Sequence, residues 1–230
     1  MIYIVLGPGR TGSILICEIL GSLCNALRAS TDDMECTTSI LARKNSVNIV
    51  LHSHSKLIID KVIIEKLKLD PKEITLILSK RRDLFLQIMS NYVAEITGET
   101  HSYTNKSPTP IFIDPMDFVS RYASEKKWYD SIDQSLCYHK IVEIYYEDFT
   151  KPKLDPSVIA NALGIENTSN EYLEPNLPSP YSFKDWIVNW ENLYQIYQVN
   201  MHADSVYSST VIQQWAAKFS GRGFGQLSQS

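Results

Sequence analysis

Three observations in the 230-residue sequence predict an α/β fold built on a parallel sheet. Apolar runs of strand length alternate with segments of helical periodicity. Two of those runs lead directly into turns that open helices, the join found at the carboxyl ends of parallel strands. A late helix is bracketed by its own start and stop signals, Asp155-Pro156 and Leu163-Gly164.

In chain order, residues 2 to 6 form the first predicted strand and residues 12 to 28 the first helix. Strands follow at 47 to 52, 73 to 79 and 139 to 146. Helices are predicted at 57 to 68, 82 to 97, 115 to 135 and 155 to 163. Residues 98 to 112 are rich in Ser, Thr and Pro and make a long connection, placed where a substrate lid or an ordinary loop would serve. Residues 170 to 182 carry Pro175, Pro178 and Pro180 and read as an extended linker. Beyond it, Trp186, Trp190, Tyr194 and Tyr197 recur at near-helical spacing, which favours docking in a core over an aromatic platform for a sugar. The sequence thus reads as a single domain over residues 1 to 230. Residues 1 to 165 are its α/β nucleotide-binding core, and 166 to 230 its linker and C-terminal helices.

Composition narrows the function. The net charge of −4 argues against general nucleic-acid binding, the run Lys80-Arg81-Arg82 being a local exception. No apolar run reaches transmembrane length, and residues 1 to 6 read as a strand instead of a charged leader, so a cytosolic location is expected. Cys17, Cys24, Cys36 and Cys137 lack paired metal-ligand spacing and read as reduced, structural residues. His101, His139 and His202 stand outside any motif. No metal is implied.

The densest signal is Ile4-Val5-Leu6-Gly7-Pro8-Gly9-Arg10-Thr11-Gly12-Ser13-Ile14, an apolar strand, a Gly-rich turn and a helix start. Glycines permit close backbone approach, and the following helix points its unpaired amides and positive end at the turn. A phosphate is the usual occupant of such a cradle; a bare strand-to-helix turn is the alternative. Gly7 and Gly12 fit Walker spacing, but Ser13 stands where a nucleotide kinase carries lysine. The cation of this loop is Arg10.

A second motif runs from Ile74 to Ser90, where a buried-type strand ends in Lys80-Arg81-Arg82 before a helix. In an open parallel sheet that basic run faces the same crevice as the first loop. Arg82 and Ser90 stand eight residues apart, a spacing that lets both reach one side of a helix and hold a second phosphate.

These two motifs resemble, in type and order, those of sulfotransferases that use 3′-phosphoadenosine 5′-phosphosulfate (PAPS). The wording of Gly12 to Glu18, and of Arg81-Arg82-Asp83 with Gln87 and Ser90, is similar to the bacterial trehalose-type branch. Tyr145-Tyr146-Glu147-Asp148-Phe149 looks like the family's Tyr-Glu-Asp-Leu segment. The resemblance implies a P-loop-like, three-layer α/β/α fold with a central parallel sheet and a helical C-terminal part. It assigns Gly9, Arg10, Thr11, Gly12 and Ser13 to the 5′-phosphosulfate, Arg82 and Ser90 to the 3′-phosphate, and Tyr146 to the neighbourhood of adenine. The family's late Arg-Lys-Gly loop has no clear counterpart; Gly221-Arg222-Gly223-Phe224-Gly225 would either bring the Arg222 guanidinium to the 3′-phosphate in its stead or form a disordered Gly-rich tail, the reading its composition favours. Ile14 departs from the family, which carries a second hydroxyl there.

The implied reaction moves the sulfuryl group of PAPS to a hydroxyl or amine of a small-molecule, sugar or lipid acceptor, leaving adenosine 3′,5′-bisphosphate and needing no metal. Arg10 would neutralise the departing phosphate, a contribution of roughly 3 kcal/mol to the barrier. Two residues are candidates for the general base. His54 follows the third predicted element in Leu51-His52-Ser53-His54, and Glu35 follows the first helix, where burial would raise its pKa. A divergent P-loop phosphotransferase using ATP and magnesium, and a catalytically silent nucleotide-binding protein on the same fold, are the competing readings.

Overall fold

The computed structural model describes residues 1–31, 34–54, 64–65, 68–98, 109–130, 138, 140–150, 154–166 and 182–201. Most of the helix expected at 57–68, most of the 98–112 connection, Cys137, nearly all of the 170–182 linker and the segment with Arg222 lie outside them. The chain divides into two compact units: Met1–Asp83 with Ser131–Leu177, and Leu84–Asp130 with Pro178–Ser230.

The first unit holds a five-stranded, all-parallel sheet. Its elements in chain order are β1 (Ile2–Leu6), α1 (Ser13–Leu23), β2 (Leu27–Ser30), α2 (Met34–Leu41), β3 (Ile49–Ser53) and β4 (Ile74–Lys80). The order across the sheet is β2-β3-β1-β4, closed by β5, which spans Lys140–Tyr145. The path from β1 to β2 passes over β3, and the path from β2 to β3 returns. Right-handed crossovers running in opposite directions place α1 and α2 on opposite faces, the three layers of an α/β fold.

Side-chain alternation sorts the strands between those faces. Tyr3, Val5, Val50, Ile77 and Ile144 pack with Ile16, Ile19 and Leu20 of α1 and with Ile159. Ile2, Ile4, Ile49, Leu51, Ile74 and Leu76 take the other face and are equally buried. Strands covered on both faces need continuous apolar runs, and Ile-Tyr-Ile-Val-Leu and Ile-Thr-Leu-Ile-Leu supply them.

The first helix is shorter than its periodicity suggests. Asn25 takes a left-handed φ of 47°, and the amides of Asn25 and Ala26 close onto the carbonyls of Ser22 and Gly21. That Schellman-type stop frees residues 27 to 30 to pair in parallel with β3. In the expected place, Asp155 caps α6 (Pro156–Leu163) by accepting from the Ser157 amide, and Gly164 closes it at φ 72°. Directly after β5 comes a short helix, α5 (Tyr146–Thr150).

The second unit is helical: α3 (Leu84–Thr97), α4 (Pro115–Asp130), α7 (Phe183–Trp186) and α8 (Trp190–Met201). Its core gathers Phe85, Ile88, Met89, Phe118, Trp186 and Leu193, with Trp190 and Tyr197 packed against it. Phe85 meets the rings of Phe118, Trp190 and Tyr194 edge-on at 4.8 to 5.7 Å. The C-terminal aromatics therefore serve packing. Asn189, buried, accepts from the Ile113 amide at 3.2 Å and donates to the Ile113 carbonyl at 2.8 Å. It supplies the hydrogen bonds that a neighbouring strand would.

Candidate anion-binding site

The candidate site lies in the first unit, at the carboxyl ends of β1, β3 and β4. The turn from Gly7 to Gly12 is folded by its own contacts. Thr11, wholly buried, donates its hydroxyl to the Pro8 carbonyl at 2.9 Å. Ser79, the penultimate residue of β4, donates to the Thr11 carbonyl at 2.8 Å. Gly7 is required by this closeness: a Cβ there would stand 2.6 Å from Thr11 Oγ1 and 2.8 Å from the Ser79 carbonyl oxygen. Arg10 holds φ 66° and Gly12 φ 80°, so the turn passes twice through left-handed backbone before α1 begins.

That backbone presents the start of α1, whose first turn carries no acidic residue. The first amides of a helix lack intrahelical acceptors and, with the helix dipole, favour an anion. Gly9 and Arg10 are half-buried, as is Gly12. Ser13 is buried and shares a 2.9 Å hydrogen bond with Nε2 of buried His52.

His52 of β3 and His54, the residue just after β3, hold both ends of the turn. His54 is exposed and donates from Nδ1 to the Gly7 carbonyl at 2.9 Å, which turns the other ring nitrogen, Nε2, away from that bond. The two rings meet edge-on at 4.5 Å. His52 was not among the residues that sequence reasoning selected. The signal was the alternation His52-Ser53-His54, which puts both histidines on the α1 face of the sheet.

The basic run meets the turn from β4. Arg81 donates from Nη1 to the Arg10 carbonyl at 3.4 Å. Its guanidinium carbon lies 4.6 Å from the centre of the Tyr146 ring. Its Nε, buried and without an aligned hydrogen-bond acceptor among the described residues, stands 3.5 Å from Glu147 Oε1, an ion pair without hydrogen-bond geometry. Arg81 thereby joins the two sequence motifs. Tyr146, expected beside adenine, has its ring against Gly12, where a Cβ would come within 2.6 Å of Cδ2. It supports the turn from beneath and packs edge-on against Phe149.

Arg82 precedes α3 and is exposed. Its Nη2 donates to both Asp148 oxygens, at 2.7 and 2.6 Å, and its plane lies 4.2 Å from the Tyr145 ring centre. The hydrogen bonds to Asp148 raise its pKa above the ordinary arginine value. Lys80 pairs with Glu143 and holds that carboxyl below its usual range. Glu143, Glu147 and Asp148 thus balance the three cations.

Other expected residues lie elsewhere. Glu35 is exposed in the first turn of α2, where it complements the helix's positive end; the burial expected of it is not there. Ser90 is buried within α3 of the second unit. Arg222 lies outside the described residues. Among the described residues, no group of three or more His, Cys, Asp or Glu is placed to hold a metal ion, and no helix is long and apolar enough to cross a membrane.

No family model and no curated protein matches the chain. Among solved structures, a sugar kinase from a Janibacter species aligns with 74% of this chain and 98% of its own, at 10% identity and a TM-score of 0.38.

Proposed function

We propose that the chain binds a phosphorylated nucleotide at the carboxyl ends of β1 and β4 and is a PAPS-dependent sulfotransferase. The observation that carries this reading is the junction of the two motifs, made by Arg81 on the Arg10 carbonyl and Ser79 on the Thr11 carbonyl. One crevice then has a helix N-terminus for one phosphate and, from the adjoining strand, Arg82 for another.

PAPS brings the sulfuryl group, and its transfer builds negative charge on the departing phosphate. The amides opening α1 and the Arg10 guanidinium meet that charge, and arginine stays protonated throughout. Ser13 occupies the lysine position of a nucleotide kinase, and its hydroxyl is bonded to His52. That arrangement weighs against ATP-driven transfer. His54 is the favoured base: its Nδ1 proton is committed to Gly7, so Nε2 can receive the acceptor's proton.

The test is turnover of sulfur-labelled PAPS by the wild-type chain and by Arg10→Ala over a panel of sugar, lipid and small-alcohol acceptors. Transfer by the wild type, reduced about 100-fold or more in the variant with its melting transition retained, is the expected result. Equal turnover by both removes Arg10 from the mechanism. Transfer of phosphate from ATP instead would make the chain a phosphotransferase.

A further inference from the structure

Of the three cations in the run Lys80-Arg81-Arg82, one is placed to change its partner. Lys80 is paired with Glu143. Arg81 is engaged by the Arg10 carbonyl, the Tyr146 ring and Glu147. Arg82 is different, because its side chain is 56% exposed and that of its partner Asp148 is 40% exposed. Ion pairs at such exposure contribute little and are exchanged readily.

The guanidinium is nonetheless held ready. The Arg82 amide donates to Glu147 Oε2 at 3.1 Å, fixing the backbone. The Tyr145 ring backs the plane of the fork at 4.2 Å. Against that fork lies a carboxylate taken in two short bonds of 2.6 and 2.7 Å. A phosphate monoester presents oxygens at similar spacing and carries up to twice the charge.

We propose that Asp148 is an internal competitor that occupies Arg82 in place of a ligand phosphate and must be displaced before the guanidinium can take one. The proposal rests on the nucleotide-binding reading above and refines it. A nucleotide with a free 3′-hydroxyl leaves the Arg82–Asp148 pair intact and gains nothing from Arg82. A nucleotide with a 3′-phosphate displaces the carboxylate, and the stacked guanidinium receives it without rearranging. Asp148 therefore taxes the bisphosphate and has no bearing on the monophosphate.

The experiment is calorimetric titration of wild type, Asp148→Asn, Arg82→Ala and the double variant with adenosine 3′,5′-bisphosphate and with adenosine 5′-monophosphate. Asparagine keeps the shape of aspartate at an exposed position and removes its charge; unchanged melting confirms an intact fold. The expected result is bisphosphate binding about two- to five-fold tighter in Asp148→Asn, with monophosphate binding unaltered. The gain should vanish when Arg82 is alanine. Bisphosphate binding that is unchanged or weaker in Asp148→Asn overturns the proposal while leaving the function standing. So does an equal change for both nucleotides, the mark of a structural role. A wild type that takes the bisphosphate no more tightly than the monophosphate overturns both.

Discussion

Gly12 shows how closely the candidate site is tied to single residues. It opens α1 at φ 80°, and the space where a Cβ would stand is filled by the Tyr146 ring, 2.6 Å away. Alanine there meets two penalties, a left-handed backbone and a ring that must move out from beneath the turn. Gly12→Ala should lower stability by about 1–3 kcal/mol in chemical denaturation and weaken anion binding in the same protein. Loss of stability without loss of binding would mean that the turn tolerates displacement of Tyr146. Cys17 is as firmly placed: burial pushes its thiol up to about 12, consistent with packing against α1's neighbours instead of chemistry.

Among the elements, α3 and α4 carry the clearest unresolved polar contact. Gln87, fully buried on α3, donates to Glu125 of α4 at 3.2 Å, and its own Oε1 has no hydrogen-bond donor among the described residues. Burial raises the Glu125 pKa, with Arg121 opposing the shift. A carboxyl raised in the folded state binds more protons folded than unfolded, so its contribution to stability falls as pH climbs above the unfolded value. Glu125→Gln removes the charge and offers Gln87 Oε1 a donor. The variant should be more stable than wild type by about 1 kcal/mol at pH 7, and the gain should shrink toward pH 4, read from denaturant midpoints across pH. A gain of constant size, or a loss at pH 7, would show that Glu125 is satisfied as a carboxylate.

The elements also show what the sequence made legible. Strands 2–6 and 73–79 were readable because parallel strands buried on two faces need unbroken apolar runs; 139–146 was readable from Ile141, Val142, Ile144 and Tyr145, although β5 lies at the sheet's edge and is mostly exposed. The helix over 156–163 was readable from its Asp-Pro start and Leu-Gly stop. Leu27–Ser30, Leu-Arg-Ala-Ser, has no such run, and it pairs only with β3 at the sheet's edge. The local pattern there continues the helix; Asn25, an unobtrusive left-handed stop, ends it. In the site, the Gly-rich turn and the basic run announced themselves by composition. Their meeting through Arg81 depends on strand order, which no local pattern encodes. Tyr146 and Thr11 were legible as members of motifs, but a hydroxyl turned onto Pro8 and a ring slid under Gly12 are properties of packing.

Over the whole molecule, the order β2-β3-β1-β4-β5 matters most. The connections leaving β1 and β4 depart in opposite directions along the sheet, so these adjacent strands flank the crevice where ligands gather in such folds. At net charge −4 the protein has no general attraction for anions, and its basic run is matched by Glu143, Glu147 and Asp148. Under the proposed function, selectivity comes from placed groups: helix amides for one phosphate, the Arg82 fork for another. The most direct measurement is calorimetric titration of the intact chain with adenosine 3′,5′-bisphosphate beside ATP with magnesium. The account predicts saturable binding of the bisphosphate at least about ten-fold tighter than ATP, weakened by Arg82→Ala. Preference for ATP, or binding of neither nucleotide, would contradict it.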